Sequence, residues 1–264
     1  MFSGKFDKTG TPITDINDVD SFSKKLRTFF DRETNDKHNN DLLCPAMMDA
    51  SRSSETSRGK DNVVAAKHIY LDIDDGDMTH EDFAAMFPKW RMIVYSTFSS
   101  TTAKPRWRVI IPTEDIMTAA IYERMAQHIN KVLKRKGYHP KKDIKKAEKQ
   151  SVWKCSGLDL SKLGPSNMMY LPVRNSSHPN EWFFEDYNDN KRKVISAYDI
   201  ISNVKTTMTV GDDIEVMEEL EKVTLKPRKS NKLEEIRRKL AAKNPELMEA
   251  KKQNAITTYH STAK

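Results

Sequence analysis

The chain has 264 residues, 37% of them hydrophobic and 31% charged, with a formal net charge of +7 and a pI near 9.1. That length supports one large domain, or one domain with an appendage, whose core needs no covalent staple. The balance argues against a membrane protein and makes a polyanion such as nucleic acid the first partner to consider.

The N-terminal "MFSGKFDKTG" has no apolar signal core, and no apolar run approaches the roughly 20 residues of a membrane span, so the expected location is cytoplasmic. Within "DVDSFSKKLRTFFDRE", Phe22, Leu26, Phe29 and Phe30 are spaced to share one face of a helix. The Ser-, Arg- and Gly-rich "DASRSSETSRGKDN" has no apolar periodicity and reads as a mobile loop. With only Cys44 and Cys155 present, a secreted disulfide scaffold and a metal knuckle are both excluded, and the two are expected to be reduced.

From Asn62, "VVAAKHIYLDI" reads as a strand. It runs into a short helix, "MTHEDFAAMF", with Thr79 as N-cap and Asp82 as its acidic N3 partner. "RMIVYSTFS" and "RWRVIIP" follow as two strands of an antiparallel hairpin. "TAAIYERMAQHINKVLKRKG" is a helix with Ile121, Met125, Ile129, Val132 and Leu133 on its apolar face and Gly137 as its stop. After the basic connector "YHPKKDIKKAEKQ", "SNMMYLPV" and "EWFFEDYN" are candidate fourth and fifth strands, with "NDNK" as a turn between the fifth and "RKVISAYDII". Residues 1–61 thus form a helix and a basic loop packing on a core at 62–210. Residues 211–264 form a charged linker and a helical tail whose apolar stripe is too thin to make a core alone.

The chemistry concentrates at the end of the first long strand. Four carboxylates, Asp72, Asp74, Asp75 and Asp77, fall within six residues. On a strand, Asp72 and Asp74 share a face and Ile73 points to the core, so the two acids either cap the next helix or hold a hard cation such as Mg²⁺ or Mn²⁺. In "YSTFSSTTAKPRWRV", Ser96, Thr97, Ser99 and Ser100 precede Lys104, Arg106 and Arg108. Hydroxyls beside an arginine pair at i and i+2 make a phosphate cradle, or else a solvated strand face. Asp159, in "CSGLDLSKLGPSNMMYLPVR", is either a helix cap or a third carboxylate for two-metal chemistry on a phosphate.

Taken in order, these elements resemble the archaeo-eukaryotic primase superfamily, the primase-polymerase fold of plasmid, phage and mobile-element replication proteins. The resemblance runs from about Asn62 to Arg174. In that family a strand-end Asp-x-Asp supplies two metal ligands, matched by Asp72 and Asp74 in "YLDIDD", and a later Asp supplies the third, matched by Asp159 in "GLD". A Ser-x-His motif that holds nucleotide phosphates is matched only in part, because Phe98 or Ser100 stands at the histidine position, with His178 in "RNSSHPNEWF" as a candidate from another segment, and Asn167 replaces a basic residue in "GPSNMMYLP". "LDIDDGDMT" also approaches the haloacid-dehalogenase motif, but Asp75 interrupts it and a hairpin follows where strand-helix units would be required. A topoisomerase-primase site would need a strand-end Glu upstream, and none is evident.

The resemblance implies an α+β fold, a largely antiparallel sheet flanked by helices with an RRM-like core and a helical, charged C-terminal extension. It implies a metal-dependent DNA primase or polymerase in which Asp72, Asp74 and Asp159 bind Mg²⁺ or Mn²⁺ and Ser96, Ser99, Lys104, Arg106 and Arg108 bind a nucleoside triphosphate. Arg52 and Arg58 of the loop and Lys141, Lys142, Lys145, Lys146 and Lys149 of the connector are candidates for a single-stranded DNA template. No Walker-type motif occurs in the chain, and because members of the resembled family often carry a helicase, a separately encoded helicase is a candidate partner. The alternative is a replication initiator that keeps the fold, binds DNA and catalyses nothing; the missing histidine favours it and the three acids oppose it.

Overall fold

In the computed structural model the described residues are 1–3, 10–11, 13, 16–53, 58–146, 152–178 and 181–206. Asp18 accepts the Ser21 N–H and so starts helix α1 (Val19–Phe30), which buries Phe22, Leu26, Phe29 and Phe30. The short strands β1 (Glu33–Thr34), β2 (Leu42–Leu43) and β3 (Ala46–Met48) lead to the long strand β4 (Val63–Asp74). Helix α2 (His80–Met86) then opens on a reciprocal capping box between Thr79 and Asp82. Strands β5 (Met92–Ser96) and β6 (Arg106–Met117) form the antiparallel hairpin, and helix α3 (Ala119–Arg135) follows, ending before Gly137 at φ +86°. The remaining elements are β7 (Tyr138–His139), α4 (Lys141–Lys146), β8 (Lys154–Cys155), β9 (Met169–Tyr170), β10 (Arg174–Asn175), β11 (Phe184–Tyr187) and α5 (Ala197–Thr206).

Five strands make one sheet in the order β11-β5-β6-β4-β3, every neighbouring pair antiparallel. The fold is therefore α+β, with a mostly antiparallel sheet. Strand alternation gives the sheet two apolar faces. Ile69, Leu71 and Ile73 of β4, with Trp107, Val109 and Ile111 of β6, join the core built with Phe83 and the buried face of α3. Tyr70, Ile93, Tyr95 and Ile110 point the other way, into a second core closed by α1, Leu43, Met169 and Leu171. Tyr122 ties α3 to β4 by donating its hydroxyl to the Tyr70 carbonyl and accepting the Tyr70 N–H.

Three segments depart from the sequence reading. "SNMMYLPV" contributes only Met169–Tyr170, paired with Leu42–Leu43 outside the main sheet; Pro172 lacks the backbone donor that would extend the ladder. The Ser/Arg loop carries turns of 3-10 helix at Ala50–Arg52 and Lys60–Asn62, the first capped by Asp49. Asn62, fully buried, joins the two by donating its side-chain amide to the Asp49 carbonyl. "AYDIIS", read as part of the run beyond the "NDNK" turn, lies within a helix, α5. Residues Met1–Thr206 form one compact unit. The charged tail at 211–264 lies outside the described residues, as does Lys149.

Candidate functional site

Beyond Tyr70 the even-numbered side chains of β4 run out from under the second core. Asp72 and Asp74 therefore emerge on a face that is apolar further back, beside Arg108 and Arg106, their register partners on β6. They line a cleft closed on one side by Thr97, Phe98 and Ser99 of the hairpin turn and on the other by Lys37 and Tyr170. Asn175 holds the turn by donating its side-chain amide to the Phe98 carbonyl, 3.0 Å.

Each of the four clustered carboxylates has a partner of its own. Arg108 Nε donates to Asp72 at 2.8 Å, and its Nη1 donates to the Tyr170 carbonyl at 2.8 Å. Burial opposes the Arg108 charge, but Asp72 and Tyr95 outweigh it and hold the guanidinium above its usual pKa. Arg106 Nε stands 2.7 Å from Asp74 yet makes no hydrogen bond, so this is an ion pair off the N–H axis. Lys141 pairs with Asp75 at 2.9 Å, lowering its pKa through that hydrogen bond and the ammonium charge. Asp77 accepts the Cys155 N–H at 2.6 Å.

Lys37 was not legible as a site residue, since it lies in a polar N-terminal stretch with no motif. Here its ammonium sits 5.0 Å from the centre of the Tyr170 ring, and burial, then the Arg108 charge, lowers its pKa. Counting Lys37, Arg106 and Arg108 against Asp72 and Asp74, the cleft has three cations to two anions. That surplus suits an anionic ligand.

The other sequence candidates are dispersed. Ser96 is buried, its hydroxyl accepting the Phe183 N–H at 3.1 Å. Ser100, one of the two residues at the histidine position of the resemblance, is also buried and accepts the Arg106 N–H at 3.1 Å. Lys104 closes the turn with Thr101. Asp159 reaches the strand end through its backbone, its N–H donating to the Asp72 carbonyl at 2.9 Å, while its carboxylate caps the Ser161 N–H and hydroxyl. His178 is exposed and does not line the cleft. Arg52 donates to the Val63 carbonyl, and Arg58 stands over the Phe2 ring. Lys141, Lys142, Lys145 and Lys146 are all exposed on α4.

Among the described residues no group of three or more His, Cys, Asp or Glu side chains is arranged to hold a metal ion. The strand offers a pair of hard oxygen donors, Asp72 and Asp74, of which Asp74 is the more open, with half its side chain exposed. A pair of this kind fits a Mg²⁺ or Mn²⁺ ion that arrives with substrate phosphates, and does not fit a preformed all-protein cage.

Residues 51–139 match the family model described as the VapE N-terminal domain. The matched stretch, about a third of the chain, contains β4, α2, the hairpin and α3, and so both strand-end acids and both arginines. The match fits a replication-associated protein of a phage or plasmid. Comparisons with curated proteins and with solved structures find no match.

Proposed function

We propose that the chain is a primase-polymerase-like replication protein of a phage or plasmid, carrying out template-directed nucleotidyl transfer with nucleoside triphosphates on single-stranded DNA. One observation carries this reading. A strand-end Asp-x-Asp pair, an arginine pair in register with it and a hydroxyl-bearing turn line one cleft with a cationic surplus.

Arg106 and Lys37 supply charge to the triphosphate, and Thr97 and Ser99 supply hydroxyl and backbone donors from the turn. Arg108, buried and doubly bonded, fixes Asp72 and the Tyr170 carbonyl in place. Asp72 and Asp74 would hold a Mg²⁺ or Mn²⁺ ion, whose charge lowers the pKa of a primer hydroxyl and neutralises phosphate oxygens. Arg106 would then exchange Asp74 for phosphate. Asp159 would join only by giving up its Ser161 bonds.

The second reading, binding without transfer, is favoured by one feature: Asp72, Asp74 and Asp159 are all satisfied by protein partners. Primer synthesis and extension on single-stranded DNA with Mg²⁺ or Mn²⁺ separates the two, alongside titration of a fluorescent nucleoside triphosphate. For transfer, wild type gives metal-dependent products and Asp74→Asn gives none. For binding alone, neither makes product while both bind the triphosphate and DNA.

A further inference from the structure

The chain has four tryptophans. Trp107 is in the main core, and Trp90 and Trp182 pack against the two cores. Trp153 belongs to neither. It stacks on His139 with ring centroids 3.6 Å apart and planes 6° apart, the closest and flattest ring pair among the described residues. The short parallel ladder β7–β8, pairing Tyr138 with Lys154 and His139 with Cys155, brings the two rings together. Burial, then the Lys134 charge, lowers the His139 pKa, so the imidazole stacks as a neutral ring at neutral pH. Both rings keep partial exposure, and Val152 beside them is 85% exposed.

Leaving Trp153 only partly buried and Val152 exposed forgoes burial that would stabilise the fold. The helix that follows His139 is rich in lysine. Lys142, Lys145 and Lys146 of α4, just after His139 in the chain, are exposed, whereas Lys134 pairs with Asp143 at 2.7 Å and Lys154 turns its ammonium over the Tyr138 ring on the other face of the ladder. A flat aromatic surface flanked by ammonium groups complements the unpaired bases and phosphates of a single strand, because a base already stacked in a duplex presents no free face.

We propose that the Trp153–His139 stack is a base-stacking platform for single-stranded DNA, with the exposed lysines of α4 holding the phosphates. This rests on the nucleic-acid reading above and adds to it the residues that touch bases. The platform is joined to the cleft. Asp77 donates its N–H to the Cys155 carbonyl at 2.8 Å, and Lys141, two residues after His139, pairs with Asp75. A strand stacked on Trp153 is thus held by the ladder that continues into the end of β4.

The test is fluorescence anisotropy of a labelled oligo(dT) and of a labelled duplex, with the full chain as wild type, Trp153→Ala and Trp153→Phe. Binding of a fluorescent nucleoside triphosphate is measured on each protein. Trp153→Ala is expected to weaken oligo(dT) binding about tenfold, and Trp153→Phe to retain most of it, with little change for the duplex. Triphosphate binding is unchanged in all three. Quenching of tryptophan emission by oligo(dT), present in wild type and reduced in Trp153→Phe, provides the same answer should Trp153→Ala fail to fold. Oligo(dT) affinity equal in wild type and Trp153→Ala, equal losses for duplex and single strand, or a wild type that binds no oligo(dT) would each overturn the platform. A wild type that binds oligo(dT) through Trp153 but no triphosphate would support the platform and remove the cleft reading alone.

Discussion

At the scale of single residues, the acidic run from Asp72 to Asp77 is stable because each carboxylate faces a different donor: Arg108, Arg106, Lys141 and the Cys155 N–H. These pairings differ in worth. Asp72 balances a guanidinium whose side chain is only 10% exposed, so Asp72→Ala strands a buried charge and is expected to cost about 3–5 kcal/mol in urea denaturation. Asp74 and Arg106 are both partly exposed, and Asp74→Ala should cost less than about 1 kcal/mol. Loss of activity in an Asp72 variant therefore mixes folding with chemistry, and Asp74 is the cleaner probe.

His68 is a second residue with a stability consequence. It sits at φ +63°, at a bulge in β4, where its N–H donates to the Thr113 hydroxyl and its Nδ1 accepts the Thr113 N–H. Accepting that bond requires an unprotonated Nδ1. Burial, then the Lys67 charge, pushes its pKa from 6.5 down to about 4. Between these values the unfolded chain binds a proton that the folded chain refuses. The contribution is therefore complete above about pH 6.5 and falls away toward pH 4, by up to about 3 kcal/mol. His68→Asn, which tolerates a positive φ, should flatten the difference in urea midpoint between pH 7 and pH 4.5; an unchanged slope would assign the acid loss to other groups.

At the scale of elements, the cleft depends on how the end of β4 meets the segment 155–159. The Asp74 N–H donates to the Gly157 carbonyl at 2.7 Å, and Gly76 packs directly on Gly157. A Cβ at Gly76 would stand 2.5 Å from the Gly157 nitrogen, a backbone atom that cannot swing aside. Gly76→Ala should therefore cost about 1–3 kcal/mol and weaken triphosphate binding, because the strand end carrying Asp74 must shift. Gly137→Ala is the control. Its φ of +86° penalises alanine, but nothing lies within 4 Å of the added carbon, so about 1 kcal/mol and unchanged triphosphate binding are expected.

At the scale of the whole molecule, the excess of positive charge gives any DNA binding a salt dependence. Lys142 and Lys145 are exposed on α4, whereas Lys141 is engaged with Asp75. Each phosphate of a single strand that is no longer neutralised by an ammonium group lowers the slope of log K against log salt by about 0.7. Lys142→Ala/Lys145→Ala should therefore reduce that slope by about 1.4 in an anisotropy titration from low to physiological salt. An unchanged slope would remove α4 from the interface.

The local rules of the sequence were enough for much of the fold. Period-2 alternation put Ile73 and Trp107 on one face and Asp72, Asp74, Arg106 and Arg108 on the other, and the Thr79–Asp82 spacing marked the start of α2. Amphipathic spacing likewise located α1 and α3, because a helix stripe is a property of neighbours in sequence. Only the tertiary structure decided what those faces meet. Lys37 and Tyr170, more than a hundred residues apart, wall one cleft, and the carboxylate of Asp159 turns to Ser161 although its backbone touches Asp72. The α1-side cover reaches Tyr70 and stops short of Asp72, leaving the polar end of the strand pair open. Side-chain pairing across a sheet depends on register and on which rotamer finds a donor first, and neither is written in the spacing of residues along one strand.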